Sequence, residues 1–175
     1  MSQVPIEVVR ATLAEPCQIP AAQAVARRKG LELIFDEASL VLWLALDGPA
    51  TSATEAREPY LIRGELTDYD FMPPIWTFVH PTSRANIGKS AYPKPIRSSV
   101  LHGNGLVCAP WNRLAYQVNG GPHGDWGELS GWKMAALQHT YATTIPDMVE
   151  RLVREVRTSR GRMAPLKPSP AGTLQ

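Results

Sequence analysis

Residues Gly105–Tyr116 read GLVCAPWNRLAY and place Cys108 between an apolar pair and a proline. Leu106 and Val107 predict a short strand, and Pro110 predicts that an irregular segment follows it. A thiol at the end of a strand can face a loop rather than the core, so Cys108 is the candidate nucleophile of this chain. The alternative is a packing role, because reduced cysteines are often buried as small hydrophobic residues.

The length and composition indicate a single domain. The chain has 175 residues, of which 44% are hydrophobic and 19% charged, as in ordinary soluble globular proteins. No apolar run approaches the roughly 20 residues of a membrane helix, and the first ten residues lack the apolar core of a secretory signal. We therefore expect a cytoplasmic protein in which Cys17 and Cys108 are reduced thiols.

The charge pattern and the motifs exclude several classes of function. The formal net charge of +2 is too small to suggest nucleic-acid binding, and a solvated helix face explains the arginines that cluster late in the chain. The sequence contains no zinc-ligand spacing, no phosphate-binding loop and no Rossmann glycine pattern. We therefore expect no nucleic-acid partner, no membrane association, no metal and no cofactor.

The first half of the chain predicts a helix followed by a four-stranded antiparallel meander. Pro20 is typical of a helix start and Gly30 of a helix end. The short polar connection at 36–39 predicts an antiparallel hairpin between the first two strands. Alternating and apolar runs predict strands at Leu31–Phe35, Leu40–Leu46, Tyr60–Leu66 and Ile75–Val79.

The second half predicts a long connection, the cysteine and two helices. The connection His80–Gly105 is turn-rich, and connections of this length are usually functional or disordered. A helix is expected within Leu129–Tyr141. The last helix begins at Thr144 with a capping box in which Asp147 takes the place of Glu, and an amphipathic stripe of apolar residues follows.

These elements give an α+β fold with three parts. Residues 1–19 form an N-terminal extension in which prolines interrupt a helical spacing. Residues 20–157 form the domain that carries the chemistry. Residues 158–175 are rich in Pro, Ser, Gly and Lys and are expected to be a disordered tail.

The order of elements and three motifs resemble the ubiquitin-conjugating enzyme fold, here called UBC-like. Tyr69–Pro74 (YDFMPP) is similar to the family's Tyr-Pro-x-x-Pro-Pro turn, with Asp70 replacing the first proline. Gly105–Cys108 is similar to its Gly-x-Ile-Cys catalytic segment, and Thr144–Val156 to the helix that crosses behind the sheet. The motifs are scattered between about residue 20 and residue 157 of the chain.

The positions at which this sequence departs from the motifs of the family indicate a subgroup of that family. The His-Pro-Asn motif that eukaryotic members carry before the cysteine has no clean counterpart here. The downstream segment with His123 and Asp125 resembles instead the divergent prokaryotic members found in bacterial ubiquitin-like conjugation operons. Such operons typically also encode a modifier, an activating enzyme and a deconjugating protease, and they are associated with defence against phage.

The resemblance implies a thioester carrier. Cys108 would accept the carboxyl terminus of a ubiquitin-like modifier from the activating enzyme of the same operon and transfer it to an amine on a target protein. Aminolysis also needs an oxyanion donor and a group that handles the amine. Asn104, Asn112 and His123 are candidate donors, and His123 and Asp125 are candidate amine-handling groups.

Two other functions remain open from the sequence. The first is a cysteine hydrolase or deconjugase with Cys108, His123 and Asp125 as nucleophile, base and orienting group. The second is a non-catalytic UBC-like interaction domain, in which Cys108 would be inert. His102 is expected to be a loop residue and His139 a helix-surface residue.

Overall fold

The computed structural model describes residues 4–49, 57–96, 100–118 and 125–168. It is a mixed α+β structure, as the sequence predicts. The helices are α1 (Ile6–Ala14), α2 (Ile19–Arg28), α3 (Arg113–Val118), α4 (Trp132–His139) and α5 (Ile145–Arg157). The strands are β1 (Glu32–Asp36), β2 (Val41–Asp47), β3 (Pro59–Glu65), β4 (Ile75–Val79), β5 (Leu101–His102) and β6 (Leu106–Val107).

Strands β1 to β4 form one antiparallel sheet in sequential order, which confirms the predicted meander. The bounds of β4 are those predicted, and the other three strands are shifted by one residue. The β1–β2 hairpin is closed by the carboxylate of Asp36, which accepts hydrogen bonds from the backbone N–H of Ala38 at 3.0 Å and from the Ser39 hydroxyl at 2.6 Å. Local side-chain bonds of this kind favour a tight turn.

The main core lies between one face of the sheet and the helices. Along β2 the side chains of Leu42, Leu44 and Leu46 point to this core, as expected for the period of two in a strand. Trp76 and Phe78 on β4 are also fully buried. Helix α5 packs against α2 and β2.

Helix α5 begins as the sequence predicts. The Thr144 hydroxyl accepts a hydrogen bond from the backbone N–H of Asp147, and the Asp147 carboxylate accepts one from the backbone N–H of Thr144 at 3.2 Å. This reciprocal pair is the predicted capping box. The apolar stripe of α5 is buried at Ile145, Met148, Val149, Leu152, Val153 and Val156.

The N-terminal segment contains a helix that the sequence analysis did not place. Pro5 and Pro16 lie outside α1 and bound it, instead of preventing it. Val9 and Leu13 on α1 are each 1% exposed and belong to the same core as the sheet. The described part of 1–19 therefore packs on the domain that follows it.

Part of the segment 158–175, for which the sequence predicts a disordered tail, is hydrogen-bonded to the rest of the domain. The backbone N–H of Lys94 donates to the carbonyl of Gly161 at 2.6 Å, and that of Met163 donates to the carbonyl of Tyr92 at 3.0 Å. This pairing joins segments that are distant in sequence, so the composition of the tail alone does not reveal it.

The described residues between β4 and the cysteine form secondary structure and contribute to the core. They include a 3₁₀ turn at Gly88–Ala91 and the strand β5, which pairs with β6 as a hairpin. Ile87, Ala91 and Tyr92 contribute to the core. Among the helices that the structure describes, none has both the length and the apolar character needed to cross a membrane.

Candidate functional site

Cys108 directly follows β6, as the apolar pair before it predicts. The β5–β6 hairpin turns at Gly105, whose N–H donates to the carbonyl of His102 at 3.1 Å. Gly105 has a φ of +79°, a conformation that glycine adopts without steric cost. The backbone N–H of Cys108 donates to the carbonyl of Val100 at 2.7 Å, so the hairpin fixes the position of the cysteine.

The side chain of Asn112 ties the cysteine segment to the sheet. Its Nδ2 donates to the carbonyl of Val107 at 2.7 Å and to that of Trp76 at 3.3 Å. Its Oδ1 accepts from the backbone N–H of Trp76 at 2.9 Å. Asn112 is fully buried and its amide is occupied by backbone groups, so it serves as a structural tie and not as an oxyanion donor.

The double-proline turn lies against the same segment. The backbone N–H of Arg113 donates to the carbonyl of Pro74 at 2.9 Å, and its Nε donates to that of Pro73 at 3.1 Å. The Arg113 guanidinium also pairs with Asp68 at 3.6 Å. The double-proline turn is therefore bonded to the first residue of α3, the helix that follows Cys108.

The end of α4 is held at the cysteine segment by a tryptophan. Trp111 is fully buried, and its indole Nε1 donates to the hydroxyl of Thr140 at 3.0 Å. Thr140 follows His139, the last residue of α4. This contact brings a histidine that is distant in the chain close to the strand that ends at Cys108.

A small pocket joins these elements. Its volume is about 230 Å³. Its walls come from the end of β5, the segment after β6, the residues before α4 and the end of α4. The residues that line it are His102, Cys108, Pro110, Asp125, Trp126, His139 and Thr140.

Asp125 and His139 form a pair in this pocket. The Oδ2 atom of Asp125 lies 3.4 Å from the Nε2 atom of His139, and the two side chains are 63% and 33% exposed. The two side chains form an ion pair when the imidazole is protonated.

The Cys108 thiol is only 3% exposed, and this burial raises its pKa. Burial disfavours the thiolate because a charge loses its solvation in an apolar environment. At neutral pH the thiol is therefore predominantly protonated, and nucleophilic attack by sulfur requires an acceptor for its proton. The pocket supplies imidazole groups that can act in this way.

The pocket brings together some, but not all, of the residues that the sequence singled out. Cys108 and Asp125 both line it, whereas His123 lies outside the described residues. Asn104 is exposed in the hairpin turn. His102, expected to be a loop residue, lies in β5, and His139 is an exposed residue of α4 as expected; both line the pocket.

A larger cavity of about 640 Å³ lies between the ends of α2, α5 and β2. It contains Lys29 and Arg157, and its described lining includes no cysteine or histidine. Lys29 and Arg157 lie at the C-terminal ends of α2 and α5, where they offset the helix dipoles. The 230 Å³ pocket, not the larger cavity, carries the candidate chemistry.

The Cys108 pocket can support acyl transfer through sulfur. It combines a thiol, an imidazole that lies beside a carboxylate, and a second histidine. Within the part of the chain that the structure describes, no three His, Cys, Asp or Glu side chains are grouped in a way that could hold a metal ion. Comparisons with protein-family models and with curated proteins gave no match for this chain.

Proposed function

We propose that this protein is a UBC-like conjugating enzyme that carries a ubiquitin-like modifier as a thioester on Cys108 and transfers it to an amine of a target protein. The observation that carries the proposal is the position of Cys108. It lies at the end of β6, on a pocket that it shares with Asp125 and His139. An acyl carrier needs a nucleophile that an incoming amine can approach, and a group that accepts the proton of that amine.

The order of elements supports the UBC-like fold as part of the proposal. A helix, a four-stranded meander, a double-proline turn, a cysteine segment and a later amphipathic helix follow one another in the order of that family. The turn at Tyr69–Pro74 and the cysteine segment are in contact through Arg113. This contact places the turn beside α3, the helix that follows Cys108.

Loading of Cys108 would be a thiol exchange. The C–S bond of the activating-enzyme thioester breaks, and a new C–S bond forms to Sγ of Cys108. The proton of the Cys108 thiol passes to the departing thiolate, so the reaction is balanced without another reagent. A buried thiol whose pKa is raised is compatible with this step, because only a small thiolate fraction is needed at any time.

The partners in this proposal are the modifier, the activating enzyme encoded beside it and the amine of a target protein. The cytoplasm and a role in defence against phage belong to the same proposal. The role in defence derives from the resemblance to the divergent prokaryotic members, whereas the cytoplasmic location is the expectation drawn from the sequence.

A non-reducing gel tests the proposal. The protein is incubated with the neighbouring modifier, the activating enzyme and ATP, and a thiol-sensitive band heavier by one modifier is expected. Cys17 is exposed and is the matched control, since Cys17→Ala should keep the band while Cys108→Ala should lose it. If the activating enzyme carries the modifier as a thioester and Cys108 does not, the proposal is contradicted and a non-catalytic interaction domain is favoured.

A cysteine hydrolase is the second candidate, and the Asp125–His139 pair favours it. The pocket holds a thiol, an imidazole and a carboxylate, which are the three groups of a cysteine hydrolase, with His139 in the place predicted for His123. A thioester substrate separates the two functions. A hydrolase releases the acid at the same rate with or without an added amine, whereas a conjugating enzyme holds the acyl group until an amine is supplied.

A further inference from the structure

The backbone of β2 has an open edge at its last residue, Asp47. Near one end of the β2–β3 ladder, the backbone N–H of Leu66 donates to the carbonyl of Leu40 at 2.9 Å. Near the other end, the N–H of Gly48 donates to the carbonyl of Glu58, also at 2.9 Å. Backbone groups alternate in direction along a strand, so the even-numbered residues of β2 bond to β3 and the odd-numbered residues face β1. The N–H and C=O of Asp47 therefore point to the β1 side of the sheet.

Strand β1 does not extend far enough to pair with Asp47. It begins at Glu32, which pairs with Ala45. In the same register Gly30 would lie opposite Asp47, but the N–H of Gly30 donates to the carbonyl of Arg27 at the end of α2. Among the described residues, none forms a backbone hydrogen bond with the N–H or the C=O of Asp47. The strand thus ends in a donor and an acceptor that an added strand can use.

The cavity of about 640 Å³ opens at this edge. Its volume lies within the range of ligand pockets, which is about 300–1,000 Å³. Asp47 and Gly30 line it together with the cations Lys29, Arg57 and Arg157. Asp47 carries the one carboxylate among the described lining residues, so the lining has a formal excess of two positive charges. A ligand that carries negative charge is therefore attracted to the cavity.

The cations of the cavity have hydrogen-bond donors to spare. Arg157 donates from Nη2 to the carbonyl of Lys29 at 3.1 Å, which uses one of the five N–H groups of a guanidinium. Lys29 lies 3.7 Å from Glu150, whose side chain is 51% exposed, and such surface pairs are weak. No carboxylate of the described residues lies within ion-pair distance of Arg57 or Arg157. The helix dipoles account for cations at these positions but leave their outer donors available to a ligand.

The direction of the side chains shows where the negative charges of a ligand would lie. The leucines of β2 point to the helices, so the alternating side chain of Asp47 lies on the other face of the sheet. Lys29 and Arg157 stand at the ends of α2 and α5, on the helix side. In an added strand, the residue paired with Asp47 shares the face of the Asp47 carboxylate. The residues on either side of it point toward the helix ends and their cations.

We propose that this edge of β2 is a docking site for an extended, acidic peptide segment of a partner protein. One residue of the segment pairs its backbone with Asp47, and acidic residues on either side of it contact Lys29 and Arg157. An inorganic anion would bind the cations and leave the Asp47 backbone unpaired. A neutral strand would pair with the backbone and leave the cations without a partner. An acidic strand binds both.

This docking site lies at the other end of the sheet from Cys108. Asn112 ties the cysteine segment to Trp76 near the start of β4, whereas Pro81, which follows the end of β4, lines the 640 Å³ cavity. The five residues of β4 span roughly 16 Å. The inference therefore goes beyond the proposed function and does not depend on it.

An NMR titration with synthetic peptides tests the inference. Protein labelled with ¹⁵N is titrated with a blocked peptide of sequence Thr-Glu-Thr-Glu-Thr, and the Kd is taken from the shifts of backbone amides. We expect saturable binding below about 1 mM peptide, with the Asp47 amide among the most shifted, because its N–H gains a partner. The neutral control Thr-Gln-Thr-Gln-Thr should bind at least about tenfold more weakly. An acidic peptide that does not saturate at about 1 mM would overturn the inference.

A second peptide separates strand addition from simple charge attraction in the wild-type protein. It has the same sequence and charge, but its central threonine carries a methyl group on the backbone nitrogen and cannot donate to the carbonyl of Asp47. We expect its affinity to fall about tenfold or more. Equal affinity for the two acidic peptides would show that the cavity binds anions without pairing a strand, and would overturn the proposal.

Substitutions in the protein test the cations and the carboxylate in opposite directions. Arg157→Gln should weaken binding of the acidic peptide about tenfold, because charged hydrogen bonds are lost. Asp47→Asn should strengthen it about threefold, because a repelling charge is removed. Arg160→Gln is the matched control, since Arg160 is exposed and lines neither this cavity nor the Cys108 pocket.

The dispersion of the amide spectrum shows whether each variant is folded. A folded Arg157→Gln protein that binds the acidic peptide as tightly as the wild type would contradict the site, and so would an equal loss in Arg160→Gln. Loading of Cys108 is measured separately by the gel assay. Failure of the docking site would therefore leave the proposed function standing, and the reverse also holds.

Discussion

Nδ2 of Asn112 lies 2.7 Å from the carbonyl oxygen of Val107, the residue directly before Cys108. The same side chain bonds both backbone groups of Trp76, so one buried amide joins the cysteine segment to the edge of the sheet. The position of the thiol therefore depends on a polar contact within the core. Such contacts cost much to break, because the partner groups stay buried without hydrogen bonds.

We expect Asn112→Ala to lower the free energy of unfolding by about 3 kcal/mol, since three backbone groups lose their partner. Urea denaturation followed by tryptophan fluorescence measures this loss. Asn104→Ala is the control, because Asn104 is exposed in the hairpin turn. This substitution should leave the midpoint of urea denaturation nearly unchanged. Equal midpoints for Asn112→Ala and the wild type would show that the amide is not a structural tie.

Gly64 is packed against an aromatic ring. It pairs with Trp76 across β3 and β4, and a Cβ atom added to it would lie 2.6 Å from the indole. Trp76 is fully buried, so its ring would have to shift against other core residues. We therefore expect Gly64→Ala to lower the free energy of unfolding by about 2 kcal/mol, as for other overpacked cores.

Thermal unfolding of Gly64→Ala checks this expectation. Gly131→Ala is the matched control, because a Cβ atom at Gly131 would meet no heavy atom within 4 Å. The Gly64 variant should melt several degrees lower, and the Gly131 variant should melt close to the wild type. A Gly64 variant that is as stable as the wild type would contradict the packing described for Trp76.

Arg162 anchors the segment after α5. Its Nη1 donates to the carbonyls of Ser90 and Ala91 at 3.2 and 3.1 Å, and its guanidinium lies 4.3 Å from the ring centre of Tyr60. We expect Arg162→Ala to lower the free energy of unfolding by about 2 kcal/mol, because charged hydrogen bonds and a cation–π contact are lost together. Chemical denaturation provides the measurement, with exposed Lys167→Ala as the control.

The pH dependence of Cys108 follows from its burial. Because the pKa of the thiol is raised in the folded state, alkylation of Cys108 by iodoacetamide should still be rising above about pH 8.5, the ordinary pKa of a cysteine thiol. By linkage, the contribution of this thiol to stability is fully present below that pH and is lost as the pH rises through the folded pKa.

Mass spectrometry of alkylated peptides gives the rate at Cys108 in folded and in urea-unfolded protein. The rate of Cys108 alkylation should rise at a higher pH in folded protein than in unfolded protein. A native Cys108 that reacts faster than the unfolded chain at neutral pH would show that the thiolate is stabilised, and burial would then not control its pKa.

Local sequence signals were sufficient for the sheet and for α5. The alternation of β3, the polar turn at 36–39 and the capping box at Thr144 each act over a few residues, and the structure contains all three. Such signals depend on backbone preferences that neighbouring residues set. The same reasoning placed Cys108 at the end of a strand.

Contacts between distant parts of the chain account for what the sequence did not reveal. His139 reaches the pocket because Trp111 holds Thr140, and no spacing in the sequence encodes that hydrogen bond. The segment at Gly161 is ordered because it pairs with the backbone at Lys94. Both features depend on hydrogen bonds between residues that are far apart in the chain. Periodicity and residue type therefore could not predict the position of His139 or the pairing at Gly161.

The claim that Cys108 carries a modifier as a thioester is tested most directly by the mass of the protein after loading. After reaction with the ubiquitin-like modifier and the activating enzyme that we propose as its partners, and with ATP, intact mass spectrometry under non-reducing conditions should show one added modifier less one water. The added mass should vanish with dithiothreitol, persist in Cys17→Ala and be absent from Cys108→Ala. Protein that keeps its unmodified mass while the activating enzyme is charged, or an adduct that persists in Cys108→Ala, would contradict the account.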